Sequence, residues 1–173
     1  MSVIKYPNFT LDKLKNFFKS SNLATLQGES GTGKTSASRK LASAHKDLIS
    51  FIGQKNVIYD SSLESNINLN NKDDEDLTSY FIENLRLSHL KNTSKRLCDI
   101  ASTGERQRIV LARSMMLKTK YIIIDEGLSG LHEEIISKIV EILKNNGKKN
   151  FLFITHQSYL ISEIANNFDV KNI

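Results

Sequence analysis

The sequence predicts an α/β fold, a parallel β-sheet flanked by helices. One observation is that apolar runs such as Tyr121-Ile122-Ile123-Ile124 are continuous rather than alternating, as in strands buried on both faces. A second is that these runs alternate along the chain with segments of helical period, the order expected of a sheet with helical crossovers. A third is a glycine-rich turn at 28–35 that joins the first such strand to a helix.

Leu11, Leu14, Phe17 and Phe18 suit a helix starting near Thr10. Residues 23–27 read as a short buried strand ending at the glycine turn, 34–45 as the helix after it, and 48–52 as a second strand. The Asn- and Asp-rich stretch 66–76 reads as a surface loop. Leu77, Tyr80, Phe81 and Leu85 fall at helical spacing, as do Ile135, Ile136, Ile139, Val140 and Leu143, with Gly147 a plausible stop. Strands are expected at 121–124 and 150–154, and Leu160, Ile161, Ile164 and Phe168 suggest a final helix. All three stripes are read as core packing.

A chain of 173 residues fits one domain, 1–173. Its 39% apolar and 25% charged content fits an ordinary globular protein. The single cysteine, Cys98, has no intrachain partner, which points to a reducing compartment and a small half-buried side chain. No apolar run approaches the roughly 20 residues needed to span a bilayer, and the N-terminus lacks a signal-peptide core. The net charge of +5 is spread without a block of like charges, so a solvated basic surface is expected, without nucleic acid.

Gly28-Glu29-Ser30-Gly31-Thr32-Gly33-Lys34-Thr35 matches G-x-x-x-x-G-K-[ST] between a strand and a helix. Glycines let backbone N–H groups converge on phosphate oxygens, and the following helix directs its positive end at the same anion. Lys34 supplies charge for the β- and γ-phosphates, and the Thr35 hydroxyl is placed for Mg²⁺. Asp125-Glu126 ends the clearest strand, and ligands sit at the carboxyl ends of parallel strands. Asp125 is expected to hold Mg²⁺ and Glu126 to polarise an attacking water. Ser102-x-x-Glu105 is a capping box opening a helix through Arg106-Gln107-Arg108 to Ala112-Arg113. A capped helix start beside Gly104 is also a ready anion site.

This segment resembles the signature sequence of ATP-binding cassette (ABC) proteins, with Ala101, Thr103 and Glu105 in place of the usual Leu, Gly and Gln. Asp125-Glu126 resembles the Walker B motif of that family. Residues 127–132 resemble its D-loop, with His132 where an Asp is usual. Gln54 resembles the Q-loop glutamine, residues 57–67 the stretch that follows it in exporter-type cassettes, and His156 the H-loop histidine. His45 and His89 are read as surface residues.

The resemblance implies a P-loop NTPase sheet with a short helical subdomain at about 60–115 and a reduced N-terminal antiparallel region, although the local pattern there favours a helix. It implies ATP and Mg²⁺ as cofactors. It also implies Tyr6 stacking on adenine, Gln54 reaching Mg²⁺ or the attacking water, and His156 bonding the γ-phosphate. Ser102 and Gly104 would contact ATP held by a second subunit, in a homodimer or heterodimer. The function implied is ATP hydrolysis on the cytoplasmic face of the cell membrane, powering a separate transmembrane subunit in export. Alternatives are a non-transport ABC ATPase acting on nucleic acid or in regulation, and a degenerate ATP-binding interaction module.

Overall fold

A computed structural model describes residues 9–55, 57–70, 74–93 and 95–169. Thr10 caps α1 (Leu11–Asn16) through its hydroxyl, which accepts from the Lys13 N–H. β1 (Leu23–Gln27) leads through the glycine turn into α2 (Lys34–Ala44), and β2 (Ile49–Ile52) follows. Four helices come next: α3 (Leu63–Asn68), α4 (Glu75–Asn84), α5 (Leu97–Ile100) and α6 (Thr103–Met116). β3 (Tyr121–Asp125), α7 (Glu133–Asn145), β4 (Asn150–Ile154), α8 (Ser158–Glu163) and β5 (Asn167–Asp169) complete the order.

The sheet runs β2-β3-β4-β1-β5, and every strand pair is parallel. Alternate residues of each strand serve opposite faces. Ile122, Ile124, Phe151 and Phe153 join a large core with residues of α3, α4, α6 and α7. Tyr121, Ile123, Leu152 and Ile154 join a smaller one with Leu14 of α1 and Leu41 of α2. All of these sheet residues are buried, which explains their unbroken apolar runs. The strand ends following β1, β3 and β4 therefore open on one edge of the sheet, with the end of β2 beside β3.

Several expectations need correction. At the N-terminus α1 is the helix that the local pattern favoured over antiparallel strands, and residues 1–8 of the expected antiparallel region lie outside the described residues. The α4 stripe is rotated: Thr78, Phe81 and Ile82 are its buried residues, whereas Leu77 and Tyr80 are 43% and 46% exposed. The expected final helix stops at Glu163, and Phe168 lies in β5, paired with Leu26 of β1. Asn66 is no loop residue: it lies in α3 and is fully buried. Its Oδ1 accepts from the Tyr59 N–H at 2.8 Å and from Arg113 Nη2 at 2.9 Å. Its Nδ2 donates to the carbonyls of Tyr59 at 3.1 Å and Ser62 at 3.0 Å. Arg113 also donates to the Asn66 carbonyl at 2.7 Å and the Val57 carbonyl at 2.9 Å, and stacks on Tyr59. These bonds tie α6 to the chain that follows Gln54.

Candidate nucleotide site

The glycine turn needs its glycines where the backbone turns left-handed. Gly31 has φ +82°, and Gly33, the residue capping α2, has φ +91°. A side chain is strained in that region. Thr32 steadies the turn by donating from its hydroxyl to the Glu29 carbonyl at 2.9 Å. Lys34 is 6% exposed and folds back into the loop. Its Nζ donates to the carbonyls of Gly28 at 2.6 Å and Glu29 at 2.8 Å. Burial pushes its ammonium pKa down, opposed by the negative charges of Asp125, Glu126 and Asp169.

The Thr35 hydroxyl donates to Asp125 Oδ2 at 2.8 Å. Asp125 is 2% exposed at the end of β3, so a hydroxyl and a carboxylate oxygen meet beside a buried ammonium. That pair of hard oxygen donors fits Mg²⁺, which takes one or two carboxylates and completes its shell with water and phosphate. Among the described residues, no group of three or more His, Cys, Asp and Glu side chains could hold a metal alone.

Glu126 leaves the strand with φ +55°, an uncommon backbone state for a side-chain-bearing residue. Its N–H donates to the Ile154 carbonyl at 3.0 Å, which fixes the turn against β4. Burial pushes its carboxyl above the ordinary value, aided by Asp125, while His156 and Lys34 oppose the rise. Gly127 follows because a Cβ there would overlap the Ile124 side chain.

Ser30, Gly31, Gly33, Lys34, Thr35, Gln54, Asp125, Glu126 and His156 line one cleft of about 240 Å³. The loop, the carboxylate pair, Gln54 and His156 are thus brought together from the ends of β1, β3, β2 and β4. Ser102 and Gly104 stand apart at the start of α6 and do not line this cleft. There the capping box is complete, with the Ser102 hydroxyl accepting from the Glu105 N–H and the Glu105 side chain accepting from the Ser102 N–H. Gln107 Nε2 donates to the Ser129 carbonyl at 2.8 Å, joining the start of α6 to the turn after Glu126. Tyr6 lies outside the described residues. Sequence reasoning missed Asp169, whose charge acts on Lys34. It ends β5, which lies where the sequence pattern suggests the close of a helix at Phe168 rather than a strand.

A phosphate loop between the first strand and its helix, facing an acidic strand end, defines a P-loop nucleotide-binding domain. The sequence model of the ABC transporter family matches residues 11–129, and the chain belongs to that family, as an ABC-type ATP-binding domain. Its relatives include the peptidoglycan transport ATP-binding protein YejF of Agrobacterium fabrum, 35% identical over 72 residues, 40% of this chain and 13% of the relative. The spermidine/putrescine import ATP-binding protein PotA of Clostridium acetobutylicum is 24% identical over 177 residues, 86% of this chain and 50% of the relative. The lipoprotein-releasing system ATP-binding protein LolD of Buchnera aphidicola is 25% identical over 202 residues, 95% of this chain and 89% of the relative. The chain thus spans 13% of the length of the first and 50% of the second. Export is not supported by these relatives, since PotA is by name an import protein.

Proposed function

We propose that the chain is an ATP-hydrolysing subunit of an ABC transporter, working as one ATP-binding unit with a helical subdomain. The observation that carries the reading is the convergence of Lys34, Thr35, Asp125, Glu126 and His156 in one cleft. The loop N–H groups and Lys34 hold the triphosphate. Thr35 and Asp125 would hold Mg²⁺, which neutralises phosphate charge when bound. Glu126 orients the attacking water and takes its proton. Its raised carboxyl pKa favours that role, because a base works best when its pKa approaches the operating pH. His156 donates to the γ-phosphate, and Gln54, at the end of β2, reaches the metal or the water.

Ser102 and Gly104 act on ATP bound by a second cassette, as a homodimer or heterodimer. This is supported by their position outside the cleft of their own chain. The partner that uses the work is a separate transmembrane subunit, and the ATP-binding subunit sits peripherally on the cytoplasmic face of the membrane. Among the described residues, no helix is long and apolar enough to cross a membrane.

Equilibrium ATP binding to the wild type and to Lys34→Ala tests the assignment of the cleft. The variant is expected to lose affinity roughly 10- to 100-fold, since hydrogen bonds to a charged group contribute about 1.5–3 kcal/mol. Equal affinities would overturn it. Co-purification with a multi-span membrane protein from the native cell tests the partner, and retention on DNA or RNA instead would contradict it.

A further inference from the structure

We propose that His89 is a positioning residue for Ser102, acting through Glu105: its imidazole holds the carboxylate that caps the serine. The inference rests on the reading of Ser102 as a contact to ATP across a dimer. Its chain of contacts is short. His89 Nε2 lies 2.7 Å from Glu105 Oε1. The other oxygen of that carboxylate, Oε2, accepts from the Ser102 N–H at 2.7 Å and from the Ser102 hydroxyl at 2.8 Å. The hydroxyl proton that would serve a phosphate is thus given to Glu105. The carboxylate also places a negative charge where a triphosphate would arrive.

Burial pushes the Glu105 carboxyl up, but the Ser102 backbone and hydroxyl donors and His89 outweigh it and leave it below its ordinary value. The residue is therefore anionic at neutral pH, and its charge must be offset for an anion to approach. The cations near it are few. Arg108, one turn along α6, feels the charge of Glu105 and of Arg86. Arg86 is itself paired with Glu134 of α7. His89, with its side chain 59% exposed against 15% for Glu105, is the basic side chain in direct contact.

The test is the KM for ATP, measured for the wild type, His89→Ala, Glu105→Gln and the double variant. His89→Ala is expected to raise KM roughly two- to five-fold over the wild type, the range of a partly exposed pair. In the Glu105→Gln background, removing His89 should change nothing, because no charge remains to offset. A purely structural His89 would still matter in that background, and that result would overturn the proposal. So would a KM for His89→Ala equal to that of the wild type. Wild-type protein that does not turn over ATP would instead sink the ATPase reading, and this inference with it.

Discussion

Asn66→Ala removes a side chain that joins three segments. The side chain accepts from the Tyr59 N–H and the Arg113 guanidinium, and its Nδ2 shares two hydrogens among the Tyr59, Ser61 and Ser62 carbonyls. Neutral bonds contribute about 1 kcal/mol each and a charged one about 1.5–3, so the gross loss is about 4–6 kcal/mol. Two effects reduce it. Arg113 keeps its bonds to the Asn66 and Val57 carbonyls, and alanine is the better helix former in α3 by about 0.6 kcal/mol. Bonds sharing one network also do not add fully. A net loss of about 2–3 kcal/mol is expected, which in urea unfolding moves the midpoint down by about 1 M at a slope near 2 kcal/mol per M. A shift under about 0.3 M would refute the reasoning. Asn66→Asp keeps the acceptor for Arg113 but sets a carboxylate oxygen against the Tyr59 and Ser62 carbonyls, so it should not restore the lost stability.

Gly127→Ala forces a Cβ against Ile124, a buried β3 residue, and should cost about 1–3 kcal/mol, read as a lowered Tm. Thr35→Val keeps the shape but deletes the hydroxyl bonded to Asp125. The part of the ATP-induced rise in Tm that depends on added Mg²⁺ should vanish while the rest survives. The pH dependence of stability follows from Glu126, whose folded pKa is raised by burial. Between the ordinary and the raised value the folded state binds more protons, so stability falls as pH climbs through that window. Glu126→Gln should therefore stabilise the protein at pH 7, and the gain should fade towards pH 4, as thermal melts across that range would record.

The sheet was legible because buried parallel strands write themselves as unbroken apolar runs, as at 121–124. The cleft was legible because the phosphate loop is a local motif whose glycines answer to local backbone geometry. Elsewhere the deciding partner is far along the chain. In α4, Leu77, Thr78, Tyr80, Phe81 and Ile82 offer two apolar faces, and only packing selects the one carrying Thr78 and Ile82. Asn66 reads as a polar loop residue until Arg113, 47 positions away, supplies its charge. Phe168 follows a helical stripe in sequence but pairs with β1 in space. His89 and Glu105 were both visible as residues, but their contact was not, since it depends on how the turn after α4 meets the start of α6.

The most direct test is steady-state ATP hydrolysis by the wild type and Glu126→Gln, with ATP binding measured in parallel. The account predicts turnover by the wild type and a rate at least about 100-fold lower in the variant, the usual loss on removing a general base, with ATP binding retained. Equal rates in the two proteins would contradict it.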